Sequence, residues 1–176
     1  MQIIGLTAPA GSGKTTVANL LVTRHGFAEL SFAAPIRDFV CDLLDIGPGV
    51  LDAIKDHPHP VLCSRSPREF MQRLGTEFAR DVFGADIWIR VLQLRVERIL
   101  RVNRVGGIVI SDVRFGNEAE WVRQRGQLWR LTRGGREVQS HISELGIPEI
   151  DEDRTLDNDC DLRTLAGRVA ELLVER

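Results

Sequence analysis

Lysine is scarce in this chain of 176 residues, in which only Lys14 and Lys55 are lysines among 23 basic residues. Arginine supplies the remaining positive charge along the whole chain, so a single arginine is weak evidence of function, whereas a lysine within a motif is stronger evidence. The net charge of −2 argues against a general nucleic-acid-binding surface. The composition therefore predicts no nucleic-acid partner.

Cysteine and long apolar runs are also few. The three cysteines, at 41, 63 and 160, are far apart and show no Cys-x-x-Cys spacing, so neither a metal site nor a disulfide framework is predicted. Reduced thiols are typical of the cytosol. No apolar run approaches the length of a membrane span, and residues 1–7 read as a strand rather than a signal peptide. We expect a cytoplasmic protein with no membrane partner.

Predicted strands and helices alternate along the chain, without repeats or linkers. A hydrophobic fraction of 43% in a chain of this length is typical of one globular domain. Alternating strands and helices favour a parallel sheet with helices on both faces, which is a three-layer α/β/α fold of about five strands. The predicted strands cover residues 2–7, 28–32, 107–111, 127–132 and 154–156.

Helical signals are concentrated between the second and third predicted strands. Pro35 opens one helix, and the capping box Ser66-Pro-Arg-Glu69 opens another that is expected to bury Phe70, Leu74 and Phe78. Residues 46–63 are rich in proline and read as loop with at most one helical turn. A later helix, capped by Asn117 with Glu120, is predicted to end at Gly126.

The segment Ala8-Pro-Ala-Gly-Ser-Gly-Lys-Thr15 stands between a predicted strand and a predicted helix, the context of a phosphate-binding P-loop. Its backbone N–H groups form an anion nest, and the helix N-terminus adds partial positive charge. Ala8 replaces the usual first glycine, which is compatible with a negative φ. Lys14 can reach the β- and γ-phosphates of ATP, and the Thr15 hydroxyl can hold Mg²⁺. The predicted ATP-phosphate contacts are Ala10, Gly11, Ser12, Gly13, Lys14, Thr15 and Thr16.

Polar residues follow the later strands, where ligands bind in parallel sheets. Asp112 closes a buried strand as a Walker B carboxylate does, and it is predicted to orient Mg²⁺ directly or through water. Its alternatives are a helix cap or a strand-end ion pair. Arg114 either clamps a phosphate or neutralises Asp112. Asn158 and Asp159 follow the last strand and are predicted to line an adenine pocket, to cap the closing helix, or both.

Six segments carry a resemblance to a known family. In chain order they are residues 8–16, 31–37, 68–80, 86–88, 110–118 and 140–144. Together they resemble the deoxynucleoside monophosphate kinases of bacteriophages over nearly the whole chain. The P-loop is shared by many families, whereas Leu-Gly-Thr-Glu at 74–77 and Ser-Asp-Val-Arg-Phe at 111–115 are more specific.

The resemblance implies ATP- and Mg²⁺-dependent phosphorylation of a deoxynucleoside monophosphate (dNMP), in the host cytoplasm if the protein is encoded by a phage. It also implies the nucleoside monophosphate kinase fold, with a core at 1–33 and 105–176, a helical acceptor-binding insertion at about 34–104 and a lid at about 133–153. Kinases with this resemblance can be homodimers. A polar lid bearing Arg133 and Arg136 suits closure over ATP and neutralisation of the transferring group.

The monophosphate already offers a charged oxygen as nucleophile, so the reaction needs positioning and cations rather than a strong base. Arginines in the insertion are candidates for the acceptor phosphate, although each one could instead lie on a solvated helix face. Gln72 is one turn beyond Arg68 and could read a base edge, and Trp88 could stack on a base or belong to the core. The predicted acceptor set is Arg37, Arg68, Gln72, Arg80, Trp88, Asp112 and Arg114.

Two other functions stay open at this point. The chain could be a P-loop kinase of another small phosphorylated metabolite, such as dephospho-coenzyme A or phosphomevalonate, although the Leu-Gly-Thr-Glu block favours a nucleotide. It could also be a non-catalytic ATP-binding module, which would hydrolyse ATP slowly and without stimulation by a small acceptor. The bases accepted and the preference for deoxyribose are not readable, because one hydrogen bond can decide such a choice.

Overall fold

The structure is a computed structural model that describes residues 2–9, 11–102, 105–134, 147 and 153–174. Ala10, Arg136 and most of the predicted lid at 133–153 lie outside the described residues. None of the helices in the described part of the chain is both long and apolar enough to cross a membrane.

Strands and helices alternate as the sequence predicts. The strands are β1 (Gln2–Thr7), β2 (Phe27–Leu30), β3 (Gly107–Ile110), β4 (Gln127–Thr132) and β5 (Arg154–Asp157). The helices are α1 (Lys14–His25), α2 (Ala34–Leu44), α3 (Pro48–Ile54), α4 (Pro67–Arg73), α5 (Asp81–Phe83), α6 (Ile87–Val102), α7 (Gly116–Arg123) and α8 (Leu162–Val174). A 3₁₀ turn spans Pro60–Leu62, and a π-helix spans Leu74–Arg80.

The five strands form one sheet in the order β2-β3-β1-β4-β5, and every neighbouring pair is parallel. The central strand β1 pairs Gly5 with Ile110 on one side and Leu6 with Trp129 on the other. The predicted five-stranded parallel sheet is therefore confirmed. Since parallel strands end at the same edge, the segments that follow β1 and β3 leave the sheet next to each other.

Helices cover both faces of this sheet because β1 alternates its side chains between them. Ile4 and Leu6 are fully buried in a core that includes residues of α1 and α8. Gly5 faces the other side, where a Cβ would lie only 2.9 Å from Val113 and from Val122 of α7. The three-layer arrangement is confirmed, and Gly5 permits the close approach of α7 to the sheet.

The chain divides into two compact units. The first unit comprises Met1–Ser31 and Leu92–Arg176, and the second comprises Phe32–Val91. Within the second unit, α2, α3 and α4 pack around a small core of Val40, Cys41 and Leu51, with Phe70 against it.

The predicted capping box before α4 is confirmed. The Ser66 Oγ accepts a hydrogen bond from the backbone N–H of Glu69 at 3.1 Å, with proline at the first helical position. Residues 46–63, predicted as loop with at most one helical turn, contain more helix than that: the seven-residue α3 and the 3₁₀ turn. Pro48 starts α3, and Leu51 stabilises it by packing into the small core.

The helix predicted to begin at the Ser66 cap changes its hydrogen-bond pattern part-way along. After α4 the backbone continues as a π-helix and then as α5. A π-helix has more residues per turn than an α-helix, so an apolar repeat with α-helical spacing does not stay on one face. Phe78, predicted to be buried, is 53% exposed and meets Phe83 edge to face. That prediction is wrong.

Candidate functional site

The loop after β1 has the backbone shape of an anion nest. Gly11 and Gly13 have positive φ angles of 72° and 92°, which side-chain-bearing residues adopt at a cost. Between them, Ser12 is almost fully buried and donates its backbone N–H to the Pro9 carbonyl at 3.3 Å. Gly13 then serves as the N-cap residue of α1. The loop therefore turns its backbone at the N-terminus of a 12-residue helix, as anion binding requires.

Lys14 lies over the entrance to this loop. Its ammonium donates to the carbonyl oxygens of Ala8 at 2.6 Å and Pro9 at 3.0 Å. Ala8 is not among the residues with positive φ, so its methyl group fits the position that usually holds glycine. Two main-chain oxygens thus hold the partly buried side chain of Lys14 beside the loop.

Asn158 fixes the P-loop from the end of β5. Its side-chain amide is buried and donates to the Ser12 carbonyl at 2.8 Å. A Cβ on Gly13 would lie 2.0 Å from the Asn158 Nδ2, so the loop needs glycine there for space as well as for its φ angle. Sequence reasoning missed this contact because 146 positions separate the two partners.

Asn158 and Asp159 do not cap the closing helix, so that part of the prediction is wrong. The first turn of α8 is capped by Asp161, whose Oδ1 accepts the backbone N–H of Thr164 at 2.8 Å. This hydrogen bond lowers the pKa of the Asp161 carboxyl. The adenine-pocket role of Asn158 and Asp159 stays a prediction.

Asp112 follows β3 at the edge of the sheet where the P-loop follows β1. Its Oδ2 accepts a hydrogen bond from Ser31 Oγ at 2.8 Å, and the side chain is partly buried. The N-cap position of α7 belongs to Phe115, so the helix-cap alternative for Asp112 is wrong. The Ser31 hydroxyl orients the carboxylate at the end of its strand.

Oxygen donors around this edge fit a hard cation. Mg²⁺ prefers carboxylate and hydroxyl oxygens, keeps several waters, and commonly takes only one or two protein ligands beside phosphate oxygens. Thr15 is exposed in the first turn of α1, and Asp112 is held by Ser31 at the end of the neighbouring strand. Among the described residues, no group of three or more His, Cys, Asp or Glu could hold a metal ion. The donor set thus suits a metal bound mainly through a nucleotide.

Glu118 is a buried carboxylate that sequence reasoning missed. It is 2% exposed, and its Oε2 accepts the backbone N–H groups of Arg114 at 2.9 Å and Phe115 at 3.1 Å. The predicted cap by Asn117 with Glu120 is wrong, because α7 begins at Gly116 and places Glu118 at its third position. The available signal was a glutamate three residues after the N-cap position. Glu118 therefore fixes the backbone that follows Asp112.

A second buried carboxylate missed by sequence reasoning lies at the C-terminal end of the predicted lid. Asp153 has a fully buried side chain and pairs with Arg123 at 2.6 Å and Arg130 at 2.9 Å. Arg130 also donates to the Ile147 carbonyl at 2.9 Å. These bonds attach Ile147 and Asp153, both within the range of the predicted lid, to α7 and β4.

Arg133 lies exposed just beyond β4, and its neighbour Gly134 lies close to Asp159. A Cβ on Gly134 would be 3.1 Å from the Asp159 Oδ2. The structure thus brings the turn that bears Arg133 next to the segment after β5. The catalytic role of Arg133 stays a prediction.

In the second unit, two predicted acceptor arginines are paired with carboxylates. Arg37 Nη2 donates to Asp52 Oδ2 at 2.9 Å, and Arg68 forms a two-pronged pair with Asp56. The hydrogen bond from Arg68 holds the pKa of Asp56 below its usual range. Burial raises the pKa of Asp52, but the contacts from Lys55 and Arg37 together outweigh it, and the net pKa is lowered.

The other predicted acceptor residues of this unit lie on or next to the π-helix. Arg80 is only 8% exposed and donates to the Ala85 carbonyl at 2.9 Å. The indole N–H of Trp88 donates to the Gly75 carbonyl at 2.8 Å, which satisfies an acceptor of the π-helix. Gln72 is half-buried on α4, one turn beyond Arg68. Their contacts with an acceptor stay predictions.

A family model described as deoxynucleotide monophosphate kinase matches residues 51–169 of this sequence. The chain belongs to this kinase family. It is 32% identical over 162 residues to a protein of Acanthamoeba polyphaga mimivirus named as a candidate deoxynucleotide monophosphate kinase, covering 85% of this chain and 84% of that protein. The family model matches more than two-thirds of the sequence and includes residues of both units. The chain is therefore a phosphotransferase of this family.

A second relative in the family is the deoxynucleotide monophosphate kinase of Escherichia phage RB69, 27% identical over 136 residues. That alignment covers 74% of this chain and 53% of the phage protein, so the chain spans about half the length of that relative. The resemblance to phage kinases that the sequence motifs indicated is confirmed.

Among solved structures, the dephospho-CoA kinase from Campylobacter jejuni is similar, with a TM-score of 0.52 and 14% identity over 99% of this chain and 97% of that one. At this identity the likeness shows a shared P-loop kinase fold. The fold class is thus confirmed, but a shared fold does not identify the acceptor.

Proposed function

We propose that this protein transfers the γ-phosphoryl group of ATP to the phosphate of a deoxynucleoside monophosphate, giving ADP and the diphosphate. The observation that supports it most is the pairing of a P-loop after β1 with Asp112 after the adjacent strand β3, in a chain of this kinase family. A phosphate oxygen of the acceptor attacks the γ-phosphorus, and the bond from that phosphorus to the β–γ bridging oxygen breaks. No general base is required.

The P-loop residues hold the triphosphate. The backbone at Gly11 and Gly13 supplies N–H donors at the start of α1, and Lys14 supplies a positive charge. The Ser12 N–H joins these donors when it leaves the Pro9 carbonyl. Lys14 releases the carbonyls of Ala8 and Pro9 and reaches the β- and γ-phosphates instead, because a phosphate oxygen is a stronger acceptor for an ammonium than a neutral carbonyl.

Thr15 and Asp112 would hold Mg²⁺, which neutralises the phosphate oxygens and aligns the transferring group when bound. Ser31 keeps the Asp112 carboxylate oriented through its hydrogen bond. Arg133 follows β4 at the same edge of the sheet and is placed to neutralise charge on the transferring group. Water exclusion at this edge would prevent loss of ATP to hydrolysis.

The second unit binds the acceptor in this proposal. Arg37 and Arg68 are half-exposed, and each already pairs with a carboxylate, an anion that accepts from the same donors as a phosphate does. Gln72 lies on the same helix as Arg68 and has an amide that can read a base edge.

An arginine-to-alanine change at Arg68 is expected to raise the dNMP KM by about tenfold or more while leaving the ATP KM within about twofold.

A coupled assay of ADP release tests the proposal directly. Mg-ATP is offered with each dNMP, each ribonucleotide, dephospho-coenzyme A or phosphomevalonate, and the phosphorylated product is identified by chromatography. We expect stimulation by one or more dNMPs with formation of the matching diphosphate. Stimulation only by a non-nucleotide acceptor would overturn the substrate assignment, and slow ATP turnover without stimulation would indicate a non-catalytic ATP-binding module.

Lys14→Met is the matched variant for the P-loop. It removes the charge and keeps an unbranched side chain, so we expect the kcat to fall by about 10²–10³-fold with the fold unchanged. Circular dichroism and the thermal midpoint provide the control for folding. Turnover close to that of the wild type would overturn the role of the P-loop.

A further inference from the structure

Lys55 stands in a charged group of the second unit that the P-loop chemistry does not use. Its ammonium donates to Asp52 Oδ1 at 3.0 Å, while Arg37 Nη2 donates to the other oxygen, Asp52 Oδ2, at 2.9 Å. One carboxylate is thus shared by two cations, one from α2 and one that follows α3. This arrangement places the ammonium and the guanidinium side by side.

Arg68 contacts the same stretch of chain, at Lys55 and Asp56. Its backbone N–H donates to the Lys55 carbonyl at 2.8 Å, and its guanidinium pairs with Asp56. Within positions 52–56, Asp52 therefore contacts Arg37, while Lys55 and Asp56 contact Arg68. Three cations and two carboxylates meet here, so the group carries one excess positive charge.

The group is open to solvent. The exposed side-chain fractions are 29% for Lys55 and 31% for Arg37, and 51% for the carboxylate between them. A ligand can therefore reach the cations without disrupting a core. The two oxygens of a carboxylate present nearly the same pattern of acceptors as two oxygens of a phosphate, which is why the same cations recognise both.

We propose that Lys55, with Arg37, binds the phosphate group of the acceptor nucleotide, and that Asp52 holds the two cations together when no acceptor is bound. The inference rests on the proposed function for the identity of the ligand. A dianionic phosphate monoester competes with a carboxylate of single charge for the same donors, and the excess positive charge of the group favours the exchange. Lys55 is then a substrate-binding residue that no motif indicated.

The backbone of Lys55 and its side chain have separable roles, which makes the residue testable. Substitution of the side chain leaves the hydrogen bond from the Arg68 N–H to the Lys55 carbonyl available. Lys55→Met removes the ammonium and keeps an unbranched chain, and Lys55→Arg restores a cation. Arg73→Met is the control, because Arg73 is an exposed cation of the same unit, paired with Glu69 at 3.1 Å and outside the proposed group.

The experiment measures binding without ATP and steady-state kinetics on the full chain. Isothermal titration gives the Kd of the preferred dNMP, of inorganic phosphate and of the matching deoxynucleoside. For Lys55→Met we expect the Kd of the dNMP and of phosphate to rise by about fivefold to tenfold, since a charge-assisted hydrogen bond is lost. The deoxynucleoside Kd, the ATP KM and the thermal midpoint should match those of Arg73→Met, and Lys55→Arg should recover most of the affinity.

An unchanged dNMP Kd in Lys55→Met, or an equal rise for the deoxynucleoside, would overturn the proposal, because neither result indicates phosphate recognition by Lys55. If the wild type binds dNMP but transfers no phosphoryl group to it, the proposed function fails. The ratio of the dNMP Kd in Lys55→Met to that in the wild type still decides whether Lys55 binds the phosphate. If the wild type binds neither dNMP nor phosphate, both proposals are overturned.

Discussion

Single buried polar groups shape the nucleotide side of this protein. Asn158 holds the Ser12 carbonyl from the end of β5, and Gly13 leaves room for the amide. A buried acceptor that loses its donor costs the desolvation of that group, so the amide both stabilises the fold and fixes the loop. The shape of the P-loop thus depends on a residue far from the motif in sequence.

Replacing Asn158 with alanine tests this dependence. We expect Asn158→Ala to lower the free energy of unfolding by about 1–3 kcal/mol, because the Ser12 carbonyl is left buried without this donor. The ATP KM should rise while the dNMP KM changes little. Urea unfolding and steady-state kinetics measure both effects. Asn19→Ala, at an exposed position of α1, is the control, and equal effects of the two changes would contradict the prediction.

Secondary-structure elements in the first unit are joined by very close packing. Gly5 of β1 lies against Val113 and Val122, with no space for a Cβ. Gly5→Ala should therefore destabilise the protein by about 1–3 kcal/mol, since overpacking forces the sheet and α7 apart. The same change at Gly167, which is exposed within α8 and has nothing near its Cβ position, should stabilise it by about 0.5–1 kcal/mol.

The two glycine variants are compared by urea unfolding under one set of conditions. Their opposite signs are the expected result, because helix propensity acts alone at Gly167 whereas steric overlap dominates at Gly5. Destabilisation of similar size at both positions would contradict the prediction, because it would show that Gly5 is not needed for the close approach of α7 to β1.

Glu118 joins the start of α7 to the backbone after β3. Glu118→Ala removes the buried acceptor of two partly buried N–H groups, so we expect a loss of about 1–3 kcal/mol in the free energy of unfolding. The kcat should fall as well, because the segment that carries Asp112 loses its fixed position. Glu118→Gln keeps one carbonyl acceptor and should lose less.

Glu120→Ala is the control for Glu118, because Glu120 is exposed on the same helix. Its effect on unfolding should lie within about 0.5 kcal/mol, as is usual for surface positions. A normal kcat in a stably folded Glu118→Ala variant would show that Glu118 does not position the segment that carries Asp112.

At the scale of the whole molecule, two exposed and paired carboxylates contribute stability that depends on pH. Hydrogen bonds from Arg68 and Arg168 hold the pKa of Asp56 and of Asp157 below the usual range. A carboxyl whose pKa is lower in the folded state stabilises the fold above its unfolded pKa of about 3.9, and this stabilisation is lost as the pH falls through the lower folded value. We expect no loss from these groups between pH 7 and 5, and a progressive loss below about pH 4.

Urea midpoints at pH 7, 5 and 3 measure this dependence. A double variant, Asp56→Asn with Asp157→Asn, cannot lose these contributions and should show a smaller fall between pH 5 and 3 than the wild type. The difference should shrink in high salt, because exposed pairs are screened. A fall of equal size in the variant would contradict the prediction.

Much of the fold was predictable because its signals are local. The strand, glycine turn and helix of the P-loop follow one another directly, and the capping box before α4 uses residues three positions apart. Alternation of strands and helices was enough to predict the parallel sheet, since crossover connections leave few other arrangements. The π-helix was not predictable, because Leu74–Arg80 carries apolar spacing that an α-helix would also satisfy.

The sequence by itself determined the β1–loop–α1 unit, the five strands and the family motifs, because each depends on residues that are close in the chain. Tertiary structure alone decided that Asn158 supports Ser12 and that Ser31, 81 positions away, orients Asp112. It likewise decided that Lys55 shares Asp52 with Arg37. Such contacts depend on the strand order and on how helices pack, and neither is encoded in the spacing of the partners along the chain.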